Sequence, residues 1–213
     1  MIHQQVSHAD TYQGIQVNVG PFEEYGLYPV IMERFKERLD WMTDRHCKVL
    51  FIRFDMRFPA RYPAMGGNQE ISRFWKNFGE QSAYRGIDLH YLWVREQSRE
   101  KHQHYHCIAL LDGNKVMNYF HFLLKVQETW GRVLGCDATG LIHFCDKDAD
   151  GNRMENGIML CRPPLKHPAR EHLQILFKQD YDRCFYWASY LAKENQKASA
   201  PYRVNSFDSS VLR

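Results

Sequence analysis

Residues 87–111 read IDLHYLWVREQSREKHQHYHCIALL, and they indicate the fold more clearly than any other segment. Residues 87–96 and 104–111 are rich in aromatic and aliphatic side chains, and the polar segment 97–103 separates them. Two such runs around a polar connection are typical of a β-hairpin with a long loop. Because a hairpin joins antiparallel strands, we expect an antiparallel sheet in the middle of the chain.

Helical periodicity flanks this hairpin on both sides. Apolar residues recur at steps of three and four in segments that begin at Pro29 and Asn68, and again over residues 116–134 and 172–195. This spacing puts the apolar side chains on one face and predicts amphipathic helices. Pro29 suits a first helical turn, where a backbone N–H has no partner in any case.

Further strands complete the predicted sheet. Residues 48–58 surround the apolar run Val-Leu-Phe-Ile, and the short segments 141–145 and 158–161 are expected to form a second hairpin. The resulting order is strand, helix, hairpin, helix, hairpin, helix. This order predicts an α+β fold, with a central antiparallel sheet of about five strands flanked by helices.

The 213 residues are enough for one domain, or for one domain with an appendage. With 44% hydrophobic and 14% aromatic residues, the chain can bury a core, which excludes a wholly disordered protein. Residues 1–27 are polar and weakly periodic. We therefore expect an irregular N-terminal arm over 1–27, followed by a domain over 28–213.

Composition also limits the location and the partners. No apolar run approaches the roughly 18 residues of a membrane helix, and residues 1–10 lack the features of a secretory signal, so we expect a cytoplasmic protein without a membrane partner. The net charge of +3 is compatible with nucleic-acid binding and equally with an ordinary mixed surface. The six cysteines include no Cys-x-x-Cys pair, and we expect reduced core thiols without a function.

The hairpin carries a candidate metal site. Side chains alternate between the faces of a strand, so His102, His104 and His106 would share one face, and Glu96 would end the partner strand next to His104. Two imidazoles and one carboxylate accept magnesium, manganese or zinc. The alternative is a set of surface histidines in a polar hairpin. His102 lies nearest the loop, where we expect it to be solvated.

The last predicted helix carries a candidate nucleophile. Tyr186 and Tyr190 are four residues apart and share a helix face, and Lys193 lies near the same stripe. A phenol has a pKa of about 10 and is a weak nucleophile, but a nearby ammonium group and a metal-polarised phosphate favour attack by the phenolate. The alternative is a pair of amphipathic tyrosines at the rim of the core, with Lys193 in water.

Together, these segments resemble the HUH endonucleases, which initiate rolling-circle replication, and most closely the inovirus-type replication initiators of the YagK/YfjJ C-terminal-domain family. The resemblance runs from about residue 28 to the end of the chain. It includes VLFIRFDMRFP (49–59), Glu96 with His104-Tyr105-His106, GLIH (140–143) and YLAK (190–193). Two-tyrosine initiators carry Tyr-x-x-Lys-Tyr-x-x-Lys, and Ser189 replaces the first lysine here.

The resemblance implies an HUH/Rep nuclease-like fold and an endonuclease of phage or mobile-element type that nicks and joins DNA. Glu96, His104 and His106 would hold a magnesium or manganese ion on the scissile phosphate. Tyr190 would attack to give a 5′-phosphotyrosine link, with help from Lys193, and Tyr186 would take a second transfer. The implied partners are single-stranded or hairpin DNA, with host replication proteins as further candidates.

Two other interpretations stay open at this point. One keeps the fold without catalysis, as a DNA-binding regulator or accessory protein of a mobile element. The other is an unrelated α+β protein with surface histidines. His143 lies on a short strand near the proposed sheet centre, where a structural histidine is the favoured interpretation over a role in the site.

Overall fold

The computed structural model describes residues 5–63, 66–97, 103–147, 156–194, 201 and 203–212. It confirms the predicted α+β fold, in which helices flank a central antiparallel sheet. The strands are β1 (Thr11–Tyr12), β2 (Ile15–Gln16), β3 (Lys48–Met56), β4 (Leu89–Glu96), β5 (His104–Asp112), β6 (Ile142–His143), β7 (Ile158–Cys161) and β8 (Phe207–Ser209). The helices are α1 (Pro29–Arg45), α2 (Gln69–Tyr84), α3 (Tyr119–Leu134) and α4 (Arg170–Ser189).

The predicted hairpin of β4 and β5 is present, and its register sets the geometry of the site. Glu96 lies opposite His104 at the loop end of the hairpin. β3 pairs antiparallel with the other side of β5 and brings Asp55 opposite His106. The main sheet has the order β6-β3-β5-β4-β8, and β7 also pairs with β3.

The prediction that 141–145 and 158–161 form a hairpin is wrong. β6 and β7 both pair with β3, at opposite ends of the same edge. β3 is nine residues long. It therefore offers an edge long enough for two short strands, and pairing with it also buries their apolar side chains against the core.

A side-chain amide fills the gap between these two short strands. Asn156 Oδ1 accepts from the Arg53 N–H at 3.2 Å, and Asn156 Nδ2 donates to the Arg53 carbonyl at 2.7 Å. The same amide group donates to the Phe144 carbonyl. Asn156 thus satisfies the backbone of β3 at a residue that neither β6 nor β7 faces, and it links the end of β6 to the start of β7.

Apolar cores lie on both faces of the sheet. Alternate residues of β3 point to opposite sides, so Val49 and Phe51 join one core while Leu50 and Ile52 join the other. α1 and α4 cover the first face, and α2 and α3 cover the second. The result is a three-layer arrangement. In the described part of the chain, no helix combines the length and the apolar character that crossing a bilayer requires.

The N-terminal segment differs from the irregular arm that we predicted. β1 and β2 form a short ribbon, and Ile15, Val17 and Leu27 are buried in the core between the sheet and helices α1 and α4. Leu27 also bridges to Ser7 and to Lys193. These apolar residues are too widely spaced to give a periodic pattern, although each of them packs in the core.

The C-terminal tail, in which we predicted no strand, adds a further one. β8 pairs antiparallel with β4 and thereby covers an edge that would otherwise expose backbone groups. The predicted last helix is shorter than the 172–195 pattern suggested. α4 ends at Ser189 and continues as a 3₁₀ turn over Tyr190–Ala192.

Candidate metal and tyrosine site

The hairpin brings three predicted metal ligands together. Glu96 Oε2 lies 3.1 Å from His106 Nε2 and 3.6 Å from His104 Nε2, and the ligand atoms of all three residues lie within 4.8 Å of one another. Neighbouring ligands of an octahedral magnesium ion are about 3 Å apart, because each is about 2.1 Å from the metal. This group, here named the Glu96 cluster, therefore has the donors and spacing for one divalent cation.

The Glu96 cluster is buried on one side and open on the other. Glu96 and His106 are only 2% and 5% exposed, whereas the side chain of His104 is 27% exposed. The buried His106 Nε2 points at Glu96 Oε2, 3.1 Å away. A divalent ion bound at this position would take the ring nitrogen and the carboxylate oxygen as neighbouring ligands. His102 lies outside the described residues.

Asp55 holds His106 from behind. Its Oδ1 lies 2.6 Å from His106 Nδ1, so Nδ1–H can donate to the carboxylate while Nε2 faces the cluster. Partner carboxylates of this kind orient metal-binding histidines and raise their basicity. Asp55 is not among the residues predicted from the sequence, because nothing in its own segment marks it. Only the pairing of β3 with β5 brings it to His106.

The electrostatics of this pair favour the charged forms. Burial opposes ionisation of Asp55, but the charge and hydrogen bond of His106, with smaller effects from His143 and Arg53, hold the pKa of Asp55 well below its usual range. Burial likewise opposes protonation of His106, but Asp55 and Glu96 outweigh it and raise the pKa of His106. The site therefore already stabilises one positive charge between two carboxylates, which is the charge arrangement that a metal ion requires.

The end of α4 brings Tyr190 and Lys193 to the same place. The Lys193 ammonium group donates to the Tyr190 hydroxyl at 2.5 Å and lies 3.7 Å from Glu96 Oε2. The ring of Tyr190 packs edge-to-face on that of His106, with centroids 5.8 Å apart. The phenol and the imidazole pair are thus neighbours, although more than eighty residues separate them in the sequence.

The N-terminal segment fixes this turn in place. The Tyr28 N–H donates to the Ala192 carbonyl at 2.8 Å, and the Glu194 N–H donates to the Gly26 carbonyl at 2.7 Å. The ring of Tyr25 also packs edge-to-face on Tyr190. The segment that we predicted as an irregular arm therefore forms one wall of the candidate site.

A second cation lies against the candidate nucleophile. The guanidinium group of Arg53 lies over the ring of Tyr190, 4.3 Å from the centroid, and 5.5 Å from the ring centroid of Trp187. Arg53 and Asp55 are two residues apart on β3 and share the face that carries the Glu96 cluster. The phenol of Tyr190 thus contacts the positive charges of both Arg53 and Lys193.

Tyr186 lies apart from these contacts. Its side chain is 39% exposed and makes no hydrogen bond or ring contact with the Glu96 cluster in the part of the chain that the structure describes. Ser189, at the position of the missing lysine, is buried, and its Oγ accepts from the Asn18 N–H at 2.8 Å and donates to the Tyr186 carbonyl at 2.7 Å. Ser189 thus attaches the end of α4 to the N-terminal segment, and a role for Tyr186 stays a prediction.

Comparison with known proteins gives one family. Residues 8–154 match the YagK/YfjJ C-terminal domain, whereas no curated protein and no solved structure gives a match. The match begins earlier than the expected start near residue 28, and it includes Asp55 and the Glu96 cluster but ends before α4. It covers well over half of the chain, and the protein therefore belongs to the YagK/YfjJ C-terminal domain family.

Proposed function

We propose that this protein is a metal-dependent enzyme that nicks and rejoins single-stranded DNA through a covalent tyrosine intermediate. The observation that carries the proposal is the position of Lys193. Its ammonium group contacts both the hydroxyl of Tyr190 and the carboxylate of Glu96, at 2.5 Å and 3.7 Å. One charged group therefore connects the candidate nucleophile to the residues that would hold a metal.

Glu96, His104 and His106 supply the donors for a divalent ion such as magnesium or manganese. When bound, such an ion polarises a phosphate oxygen as a Lewis acid. In neutral His106, Nδ1–H donates to Asp55, and this contact selects the tautomer whose Nε2 carries no hydrogen and can bind a metal. The partly exposed His104 leaves the cluster open on the side from which DNA would approach.

The cations around Tyr190 would bind and orient the scissile phosphate. Arg53 lies over the phenol ring, and Lys193 donates to its hydroxyl. A phosphodiester anion is attracted to both, and in-line placement with charge stabilisation supplies most of the rate in phosphoryl transfer.

The proposed reaction exchanges one phosphoester bond for another. Tyr190 Oη forms a bond to phosphorus while the bond from phosphorus to the 3′ oxygen breaks. The phenolic proton passes to solvent, the departing 3′ oxygen takes up a proton, and the 5′ end stays attached as a phosphotyrosine. Attack by a 3′-hydroxyl on that linkage reverses both changes and joins the strands. No external energy source is needed, because the number of phosphoester bonds is conserved.

A DNA-binding regulator without catalytic activity is the second candidate. One observation favours it, since the family match encloses the Glu96 cluster but ends at residue 154, before Tyr190. In that case the cations near Tyr190 would bind the DNA backbone, and the strand would stay intact.

A covalent-adduct assay separates the two candidates. The full chain is incubated with manganese and a random-sequence pool of labelled single strands, and the products are separated under denaturing conditions. The proposal expects an adduct that Tyr190→Phe abolishes and that the matched variant Tyr186→Phe retains. Retention of the full adduct in Tyr190→Phe would overturn Tyr190 as the nucleophile. If the unmodified protein shifts the DNA on a native gel of the same mixture but gives no adduct under denaturing conditions, the regulator is favoured.

A further inference from the structure

A second group of metal-binding side chains lies behind the Glu96 cluster. It consists of Asp55, His143 and Cys145, whose ligand atoms lie within 4.8 Å of one another. His143 Nδ1 is 3.5 Å from Cys145 Sγ and 3.6 Å from Asp55 Oδ2. Asp55 faces both groups, since its Oδ1 contacts His106 while its Oδ2 contacts His143. We name this group the Asp55 cluster.

The distances within the Asp55 cluster resemble those of a tetrahedral zinc site. Zinc lies about 2.0 Å from nitrogen, about 2.0–2.2 Å from oxygen and about 2.3 Å from sulfur. At tetrahedral angles, these bond lengths put nitrogen about 3.5 Å from sulfur and about 3.3 Å from oxygen. The nitrogen-to-sulfur distance in the Asp55 cluster agrees, and the nitrogen-to-oxygen distance is within a few tenths of an ångström.

The positions of the Asp55 cluster residues are set by strand pairing and by the backbone around Cys145. Asp55 and His143 are paired residues of β3 and β6. Two residues further on, Cys145 has a φ of +49°, a backbone conformation that is uncommon for a residue other than glycine. Asn156 holds the carbonyl of the preceding Phe144. Unfavourable backbone geometry persists where surrounding contacts enforce it, and it is common at functional sites.

We propose that Asp55, His143 and Cys145 form a zinc site with a fourth coordination position open to solvent. Thiolate ligands select zinc over magnesium and manganese, which prefer oxygen donors. The Asp55 cluster contains sulfur and the Glu96 cluster does not, so the two clusters would take different metals. Cys145 and Asp55 are buried, whereas the His143 side chain is 49% exposed and provides the open side.

Zinc binding at the Asp55 cluster must release a proton. Zinc binds cysteine as the thiolate, so Cys145 must give up its thiol proton. The metal displaces this proton to solvent as the zinc–sulfur bond forms. This inference stands on the geometry of β3, β6 and Cys145, and it does not require that the protein cleaves DNA.

Cobalt(II) spectroscopy tests the inference directly. The reduced full chain is freed of metal with a chelator and titrated with cobalt, which takes zinc geometry and gives a thiolate charge-transfer band. We expect one equivalent to saturate this band and zinc to displace it. Cys145→Ser should abolish the band. His104→Ala, which alters only the Glu96 cluster, and Cys161→Ser, which removes an exposed thiol at the far end of β3, should retain it.

Absence of the band in the unmodified protein, or its persistence in Cys145→Ser, would overturn the inference. Because Cys145 is buried and its variant is at risk of misfolding, His143→Ala gives an independent decision. The half-exposed His143 is not needed for packing, so we expect a folded protein with at least a tenfold loss of zinc affinity. Unchanged affinity in His143→Ala would also overturn the assignment.

Discussion

Asp55 and His106 face each other across neighbouring strands, and 2.6 Å separate Asp55 Oδ1 from His106 Nδ1. Because this contact orients a candidate metal ligand, removing the charge of Asp55 should weaken metal binding. Loss of such a partner carboxylate typically costs about 10–100-fold in metal affinity. We expect that loss for manganese in Asp55→Asn, measured by calorimetry on zinc-free protein.

The matched control for this measurement is Asp44→Asn, which removes an exposed carboxylate from α1. Its manganese affinity should equal that of the unmodified protein. A folded Asp55→Asn variant with full affinity would show that His106 does not need its partner to bind a metal.

The contact between Lys193 and Tyr190 predicts a separate effect on chemistry. Lys193→Met removes the donor to the phenol, and we expect roughly a 100-fold slower formation of the DNA adduct. Manganese affinity should not fall, because the substitution removes a positive charge near Glu96. Adduct rates and calorimetry measure the two effects separately.

Lys178→Met serves as the control for Lys193. Lys178 is an exposed lysine of α4, and its ammonium group pairs with Asp182. It should leave both quantities unchanged. Equal adduct rates in Lys193→Met and Lys178→Met would remove Lys193 from the proposed mechanism.

The N-terminal segment should contribute to stability as part of the folded domain. Leu27 is fully buried and bridges to Lys193. Because this side chain is fully buried, Leu27→Ala should lower the free energy of unfolding, measured with urea, by about 2–5 kcal/mol. Leu165→Ala, at a 78% exposed position, should change it by less than about 0.5 kcal/mol. Similar values for both variants would mean that residues 1–27 do not stabilise the domain and behave as a loose arm.

The buried side chain of His90 should make the stability of the protein depend on pH. Its ring contacts Ser210 next to β8, and burial lowers its pKa below the ordinary value of 6.5. The unfolded chain therefore takes up a proton more readily than the folded protein as the pH falls below 6.5. His90 thus contributes stability above that pH, and the contribution is lost in acid, by at most about 1.4 kcal/mol per pH unit.

Urea unfolding between pH 5 and pH 8 measures this slope. His90→Gln should flatten it, whereas His121→Gln, an exposed position on α3, should not. If the slope is identical in His90→Gln and the unmodified protein, the pKa of His90 is the same in the folded and unfolded states.

The hairpin could be predicted from sequence because its information is local. Apolar runs on both sides of a polar loop fix the register, and the register alone puts Glu96 beside His104. Asp55 could not be found in this way, since its contact with His106 depends on which strand lies beside β5. The wrong pairing of β6 with β7 has a similar cause, because the amide of Asn156 replaces strand contacts that a pattern of apolar residues cannot represent.

The choice between Tyr186 and Tyr190 also could not be predicted from local sequence. Spacing put Tyr186 and Tyr190 on one face, but the 3₁₀ turn after Ser189 and the bridge from Leu27 determine which tyrosine meets the Glu96 cluster. The cysteines form no motif in the sequence. Cys145 lies beside Asp55 only because β6 pairs with β3. Contacts between distant segments therefore decide most of the chemistry.

Paramagnetic broadening by manganese tests most directly whether the metal and the phenol share one site. In protein with ¹³C-labelled tyrosines, the ring resonance of Tyr190 is identified by its loss in Tyr190→Phe. We predict that manganese broadens this resonance strongly and leaves that of Tyr84, a 93% exposed residue at the end of α2 on the other face of the sheet, sharp. A Tyr190 resonance that stays sharp at saturating manganese would contradict the proposed site.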